Sequence, residues 1–151
     1  MLTAFIRRFV ENDFVQYQSW YDDPMLNTHL GPIDHTWLSA VLEQKDGMEY
    51  SYFESDQLAA VVGIVFHPTE HAWVITDIAV NPALRRQGVG ARALQAVIEI
   101  TPMQPPGRWL AYVMQDNAVA QAFFSSLNWT RCEPDDDDPA PMITFRRPRR
   151  P

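Results

Sequence analysis

The spacing of apolar residues changes repeatedly along the chain, and this alternation is the strongest constraint on its fold. Segments with the two-residue period of strands are interleaved with segments that have the helical period. The predicted order of elements is β-α-α-β-β-β-α-β-α-β-β. The 151 residues match the length of one domain. We therefore predict an α/β fold of the α+β type in a single domain over residues 1–151, with a core over about 3–146.

Turn-forming residues, helix caps and prolines set the predicted boundaries. Asn12 or Asp13 is expected to cap a first helix, and Asp34 a second helix that ends just before Gly47. The Asp22–Pro32 segment contains two prolines and a glycine, so we predict a loop there. The other helices are predicted over Gly88–Ile100 and Asn117–Leu127, and the strands over Thr3–Arg8, Glu49–Glu54, Gln57–Phe66, His71–Val80, Arg108–Met114, Trp129–Glu133 and Pro141–Arg146. The short Ser55–Asp56 turn is predicted to join the second and third of these strands in a hairpin.

Acidic residues outnumber basic ones, which narrows the choice of partners. Twelve Lys and Arg residues against nineteen Asp and Glu residues give a net charge of −7, which disfavours general binding to nucleic acid. A cationic small molecule or peptide is the more natural partner. Four arginines stand in the last six residues, and we expect 147–151 to be a frayed, solvated tail.

The sequence lacks the signals of membrane, exported and metal-binding proteins. No apolar run approaches the ~20 residues that span a bilayer, and the apolar stretch before Arg7 is too short for a signal peptide. The four histidines have no metal-ligand spacing, and the single cysteine, Cys132, is expected to be buried and inert. We therefore expect a cytoplasmic protein that binds neither metal nor membrane.

The segment from Thr76 to Arg92 carries the strongest chemical signal. Its sequence, TDIAVNPALRRQGVGAR, predicts a strand, a short loop with two arginines, and then a helix. The first amides of a helix have no partner within it, and the helix dipole is positive there. Gly88 and Gly90 would let a phosphate approach the backbone closely. The segment predicts an anion site, although a strand–turn–helix whose glycines only relieve packing is an alternative.

Two motifs in this order resemble the GNAT superfamily of N-acetyltransferases. The first is Arg85-x-x-Gly88-x-Gly90 directly after a strand that ends in Ile78-Ala79-Val80, and it resembles the acetyl-CoA-binding motif of that family. The second, similar to the family's late helix pattern, is Asn117-x-x-Ala120-x-x-Phe123-Phe124-x-x-Leu127-Asn128-Trp129. The resemblance implies the GNAT fold, with a mixed central sheet of about seven strands and four helices. The early segment has a weaker likeness to the branch with aminoglycoside and ribosomal-protein N-acetyltransferases.

The resemblance implies that acetyl-CoA is the co-substrate. The backbone of Arg86–Ala91 would wrap the CoA diphosphate, the strand edge at Ile78–Val80 would pair with the pantetheine amides, and an amide near Val80 would stabilise the oxyanion. Asn117 would contact the cofactor or cap its helix, and both roles can coexist. The implied cofactor-binding set is Ile78, Ala79, Val80, Arg85, Arg86, Gln87, Gly88, Val89, Gly90, Ala91, Asn117, Phe123 and Phe124.

The family reaction is direct attack of a primary amine on the acetyl thioester in a ternary complex, and a protein group must accept the amine proton. Asp77 is the first candidate for the base or for a residue that holds a catalytic water. Because neighbouring strand residues point to opposite faces, the alternative is that Thr76 faces the site and Asp77 is a structural carboxylate. Tyr112 is the second candidate, with a packed core aromatic as the alternative. Phe124 stands where the family often has a tyrosine acid, and it has no proton to give.

The two loops that flank the acceptor in this family are acidic here. Asp22 and Asp23 lie in the first and Asp135–Asp138 in the second, and Trp37 follows in the next helix. Asp22, Asp23 and Trp37 are therefore the predicted acceptor-binding residues, although a solvated charge run and core packing are the alternatives. We predict an acetyl-CoA-dependent N-acetyltransferase that acts on a small cationic molecule or peptide. The alternative is a CoA-binding sensor or regulatory module, and a homodimer is left open.

Overall fold

A computed structural model describes residues 3–101, 108–134, 137 and 141–148 of the chain. The predicted class is confirmed, because strands and helices alternate through the described residues. The helices are α1 Phe14–Ser19, α2 Pro24–Leu30, α3 His35–Glu43, α4 Val89–Ile100 and α5 Ala118–Ser126. The strands are β1 Ala4–Arg8, β2 Gly47–Glu54, β3 Gln57–His67, β4 Ala72–Val80, β5 Trp109–Met114, β6 Thr130–Cys132 and β7 Met142–Arg146.

The seven strands have the hydrogen-bonded order β1-β2-β3-β4-β5-β7-β6. The sheet is mixed, as expected: β4 and β5 are parallel, whereas β1 and β2, β5 and β7, and β6 and β7 are antiparallel. The described chain divides into two compact units, residues 3–64 with 77–101 and residues 65–76 with 108–148. Both β3 and β4 therefore contribute a stretch to each unit.

The first unit is built on an aromatic core. Tyr17 of α1 lies with its ring centroid 5.3 Å from the rings of both Trp20 and Trp37 and 5.8 Å from that of Phe9. The helix that carries Trp37 begins where predicted, because the Asp34 side chain accepts a hydrogen bond from the Trp37 amide at 2.9 Å. The remaining members of this core are Phe14, Ile33, Leu38, Leu58, Val61 and Ala79.

The β2–β3 hairpin forms as predicted. Ser55 and Asp56 have φ values of 50° and 64°, and two left-handed residues in a two-residue loop match the right-handed twist of antiparallel strands. The strand begins at Gly47, two residues before the predicted start, so Gly47 lies in β2 rather than at the end of the preceding helix. That helix ends at Glu43 instead.

The prediction of a loop over Asp22–Pro32 is wrong, because α2 occupies most of it. Asp23 caps this helix by accepting a hydrogen bond from the Leu26 amide at 3.1 Å. Pro24 stands in the first turn, where its missing N–H removes no helical hydrogen bond. The fold therefore has five α-helices among its described residues, not the four expected.

The second unit has its own aromatic packing. Phe124 of α5 stacks on Phe145 of β7 at 5.5 Å and lies 5.0 Å from Trp129 between ring centroids. Trp73 and Trp109, which are partners in the β4–β5 register, stack at 6.3 Å.

The prediction of a single domain over the whole chain stays a prediction. Among the described residues, none of the helices combines the length and the apolar character needed to cross a membrane.

Candidate functional site

The turn after β4 is fixed by a buried asparagine. Asn81 donates a hydrogen bond from Nδ2 to the Leu58 carbonyl at 3.1 Å, and its amide donates to the Ala59 carbonyl at 2.9 Å. Its Oδ1 also accepts from the Ala83 amide at 3.0 Å, which caps the short 3₁₀ turn Pro82–Leu84. These bonds hold the end of β4 against the start of β3, just before the chain enters the loop of residues 85–88, here called the arginine–glycine loop.

This loop contains two left-handed residues. Arg86 has φ 65° and Gly88, the N-cap of α4, has φ 76°. The first hydrogen bond within α4 runs from the Arg92 amide to the Gly88 carbonyl at 3.2 Å, so the amides of residues 89–91 have no partner inside the helix. A tight turn that ends on such amides is suited to an anion such as a diphosphate, because amide donors and the helix dipole both favour negative charge.

A side-chain network braces this loop from within the first unit. Arg92 donates through Nε and Nη2 to the two carboxyl oxygens of Glu54 at 2.7 and 2.9 Å, and through Nη1 to the Gln87 carbonyl at 2.7 Å. Tyr52 donates to the same carboxylate at 2.6 Å. We call Tyr52, Glu54, Arg92 and the Gln87 carbonyl the loop brace. A Cβ on Gly88 would lie 2.9 Å from Arg92 Nη1, so only glycine fits against the brace without a shift.

Two residues predicted for different sites meet in an ion pair. Arg85, predicted to bind the cofactor, donates to both carboxyl oxygens of Asp23, predicted to bind the acceptor, at 2.7 and 3.0 Å. The hydrogen bonds from Arg85 and from the Leu26 amide lower the pKa of Asp23. The cap of α2 is therefore tied to the start of the arginine–glycine loop. The exposed Arg86 lies next in the chain.

The candidate base, Asp77, is half-buried and lies beside Glu49, a residue outside the motifs that the sequence singles out. Its carboxyl group is hydrogen-bonded to that of Glu49 on β2, which is only 6% exposed. Burial, then the charge of Asp77 and the hydrogen bond to it, raise the pKa of Glu49 well above its usual value. We call these two side chains the carboxyl pair. A glutamate inside the apolar strand run GMEYSYFE was the available signal.

Two tyrosine hydroxyls lie close to the carboxyl pair. The hydroxyl groups of Tyr17 and Tyr21 are 2.6 Å apart. Burial and the nearby charge of Asp77 raise the pKa of Tyr17 well above its usual value, and burial raises that of Tyr21, so both are neutral at physiological pH. Thr76, the alternative site-facing residue on β4, is exposed.

A cavity of about 440 Å³ opens in the first unit near the predicted acceptor residues. Asp22 lines it, together with Tyr21. Trp37 is instead half-buried in the aromatic core, 5.4 Å from Phe9 between ring centroids. The other residues that line the cavity are Val15, Gln18, Ser19, Asn27, Pro32 and Ile33. Of the predicted acidic loop Asp135–Asp138, only the exposed Asp137 is among the described residues.

Four predicted site residues belong to the second unit. Asn117 caps α5, because its side chain accepts a hydrogen bond from the Ala120 amide at 3.1 Å. Tyr112 is 37% exposed, so the alternative of a buried core aromatic is wrong for it. Phe124 is 2% exposed within the aromatic packing of this unit, and Phe123 is half-buried beside it at 5.1 Å.

Among the residues that the structure describes, no group of three or more His, Cys, Asp and Glu side chains is arranged to hold a metal ion. Cys132 is half-buried and carries a free thiol. The candidate site of the first unit thus consists of the strand end Ile78–Val80, the arginine–glycine loop with the amides of residues 89–91, and the carboxyl pair.

Solved structures share this fold at low sequence identity. The aminoglycoside acetyltransferase AAC(6')-Ib in complex with coenzyme A matches with a TM-score of 0.78 and 13% identity, over 97% of this chain and 95% of that one. An acetyltransferase from Salmonella typhimurium that modifies the N-terminal serine of ribosomal protein L7/L12 matches with a TM-score of 0.76 and 14% identity, over 96% and 94%. The Escherichia coli ribosomal-protein-S18-alanine N-acetyltransferase matches with a TM-score of 0.67 and 17% identity, over 95% and 91%.

The sequence itself carries the family signature. No curated protein matches it significantly. The profile of the acetyltransferase (GNAT) family, however, matches residues 9–129, a span that contains the Asn81 turn, the arginine–glycine loop and α5. Since this match covers most of the chain, the protein belongs to the acetyltransferase (GNAT) family.

Proposed function

We propose that this protein transfers an acetyl group from acetyl-CoA to a primary amine of a small cationic molecule or peptide. The observation that carries the proposal is the left-handed turn at Arg86 and Gly88, which ends on the amides of residues 89–91. Several amide donors with a nearby arginine suit a diphosphate, since charge-assisted hydrogen bonds contribute about 1.5–3 kcal/mol each. A fold relative, AAC(6')-Ib, binds coenzyme A, which supports the same ligand here.

We assign the cofactor to residues on both sides of this turn. The strand edge at Ile78–Val80 would bind pantetheine, and an amide near Val80 would stabilise the oxyanion. Arg85 is paired with Asp23, so to bind the diphosphate it must either break this ion pair or contact both groups at once. We therefore expect the ion pair to weaken CoA binding. From the second unit, Asn117, Phe123 and Phe124 are proposed to contact CoA.

The reaction needs a group that accepts a proton. The neutral amine nitrogen bonds to the acetyl carbon, the carbon–sulfur bond breaks with its electron pair on sulfur, and the amine proton passes to a base. We assign that base to Asp77, and Tyr112 is the second candidate. The leaving thiolate takes a proton from solvent, because Phe124 has no proton to give.

The acceptor is proposed to be cationic because a carboxylate lines the cavity of the first unit. Asp22 lines that cavity, and the net charge of −7 favours the approach of an amine. AAC(6')-Ib and the ribosomal-protein acetyltransferases act on aminoglycosides and on protein N-termini, so both classes belong in a substrate panel.

A second candidate function is a CoA-binding sensor without catalysis. The observation that favours it is Phe124, which is buried among aromatic rings and cannot replace the tyrosine acid. A catalyst and a sensor both bind CoA, and only the catalyst releases CoA thiol in an acceptor-dependent way.

The deciding experiment is release of free thiol from acetyl-CoA with polyamines, aminoglycosides and basic peptides. We expect release that depends on at least one acceptor, and its loss in Gly88→Ala. Val119→Ala, an exposed change on α5, is the matched control and should behave as the wild type. Binding of CoA with no thiol release across the panel would favour the sensor, and absence of CoA binding would contradict both functions.

A further inference from the structure

The carboxyl pair is a feature of the first unit that the anion loop does not require. Glu49 comes from β2 and Asp77 from β4, and neither belongs to the arginine–glycine loop. Glu49 is almost fully buried, and its Oε2 has no donor within hydrogen-bond distance among the described residues. A buried acidic oxygen left in this way is costly, so it calls for a physical explanation.

Two adjacent carboxyl groups in a buried place cannot both be ionised without strong repulsion. The titratable groups that face Glu49 are Asp77 from β4, Tyr17 from α1 and Tyr21 from the 3₁₀ turn after α1. Glu49 is almost fully buried, and burial beside Asp77 disfavours its ionised form, so Glu49 carries the proton of the hydrogen bond that joins the two carboxyl groups.

We propose that Glu49 is a positioning residue for Asp77: the neutral Glu49 carboxyl donates a hydrogen bond to the Asp77 carboxylate and holds it as the base for the acceptor amine. This inference rests on the proposed acetyl transfer. In the step, the amine nitrogen bonds to the acetyl carbon, its proton moves to the Asp77 carboxylate, and the thiolate that leaves is protonated by water. Glu49 keeps its own proton throughout.

The tyrosines connect this pair to the cavity side of the unit. Tyr21 lines the cavity beside Asp22, and its hydroxyl is hydrogen-bonded to that of Tyr17. Tyr17 in turn lies close enough to Asp77 and Glu49 that their charges raise its pKa. Both hydroxyls stay neutral, so they add no negative charge to that of the Asp77 carboxylate. An ammonium or amine that enters from the cavity is the cation that this charge would attract.

The test compares Glu49→Gln, which keeps a hydrogen-bond donor, with Glu49→Ala, which does not. In steady-state thiol release, we expect Glu49→Ala to lower kcat by about tenfold or more with an unchanged KM for acetyl-CoA. Glu49→Gln should restore kcat to within about threefold of wild type. Asp77→Asn should lower kcat by about a hundredfold. Equal kcat values for wild type and Glu49→Ala, measured per folded protein, would overturn the positioning role.

The pH profile adds a readout that packing alone would not move. In the wild type, ionisation of Glu49 at alkaline pH removes the donor to Asp77, so kcat/KM should fall on that limb. Glu49→Gln cannot ionise, and its profile should lack this fall. Superimposable profiles for wild type and Glu49→Gln would overturn the proposal.

A measurement without substrate separates this inference from the proposed function. Infrared difference spectra between wild type and Glu49→Gln at neutral pH should contain the carbonyl band of a protonated carboxyl group. If the band is absent, Glu49 is not protonated at neutral pH, and the inference is contradicted even if the protein is an active acetyltransferase. If the band is present but no acceptor causes thiol release, the protonated carboxyl pair is supported and the proposed acetyl transfer is contradicted. The role of Glu49 as a positioning residue is then contradicted as well.

Discussion

Strand β2 carries two buried glutamates whose surroundings are opposite. Glu49 is 6% exposed and Glu54 is 7% exposed, so both have lost most of their hydration. Glu54 accepts two hydrogen bonds from Arg92, which lower its pKa despite burial. Glu49 faces the carboxyl group of Asp77, and its pKa is raised.

The difference shows that partners, rather than burial alone, decide the charge of a side chain on this strand. The ionised Glu54 anchors the arginine that holds the Gln87 carbonyl, so its charge is used to shape the arginine–glycine loop. Glu49, whose pKa is raised by burial and by Asp77, is suited instead to donate a hydrogen bond to the Asp77 carboxyl group. One strand therefore supports the proposed anion site at one end and the proposed base at the other.

The largest effect is expected when the loop brace loses its cation. Arg92→Ala leaves the buried Glu54 carboxylate without its cationic partner and should lower the free energy of unfolding by about 3 kcal/mol, measured in urea. CoA affinity should fall as well, because the Gln87 carbonyl loses its donor. Arg131→Ala is the matched control: it removes an exposed ion pair with Glu133 and should cost less than about 1 kcal/mol. Equal costs for the two variants would remove the loop brace as a special feature.

The next effect contrasts the two glutamates directly. Glu54→Gln should lower the free energy of unfolding by about 1–3 kcal/mol at pH 7, because a charged hydrogen-bond partner is lost. Glu49→Gln should leave it unchanged or raise it. Calorimetric or urea unfolding of both variants measures this, and a loss of stability of the same size in Glu49→Gln would contradict the comparison.

The pH dependence of these two variants should have opposite signs. The lowered pKa of Glu54 gives stability that is present above the ordinary glutamate value of about 4.3 and is lost as the pH falls through the lower folded value. The raised pKa of Glu49 gives stability that is present below about 4.3 and is lost as the pH rises through the folded value. The deficit of Glu54→Gln should therefore shrink in acid, and the advantage of Glu49→Gln should grow toward alkaline pH.

A smaller effect is expected at the exposed ion pair of Arg85 and Asp23. Asp23→Asn should release Arg85 and raise CoA affinity by no more than about fivefold, measured by calorimetry. Asp22→Asn, next in the chain but without this partner, should leave CoA affinity unchanged and serves as the control. A fall in CoA affinity in Asp23→Asn would instead assign the ion pair a role in positioning Arg85.

The parts of the fold that the sequence predicted are those with local causes. Asp34 and Asn117 cap helices through bonds to amides three residues on, and the Ser55–Asp56 turn closes a hairpin between adjacent strands. The strand–loop–helix segment around Gly88 was likewise visible as a continuous pattern. Helix α2 is the exception: prolines and a glycine in one short segment favour a loop, whereas Pro24 stands in the first turn of a helix, where proline is well suited.

The parts of the site that the sequence did not predict depend on partners far apart in the chain. Glu49 acquires its properties from Asp77 on another strand, and the Glu54–Arg92 and Asp23–Arg85 ion pairs join residues 38 and 62 positions apart. Periodicity and motif spacing carry no information about such pairs in a single sequence. A glutamate in a buried strand is the one local hint of the carboxyl pair.

The most direct test of the account is a calorimetric titration of the folded wild-type protein with CoA and, separately, with pantetheine. If the arginine–glycine loop and the amides after it bind a diphosphate, CoA should saturate one site per chain, and pantetheine, which lacks the diphosphate, should bind at least about a hundredfold more weakly. An absence of heat with CoA at millimolar concentration, or equal affinities for CoA and pantetheine, would contradict a diphosphate site at this loop.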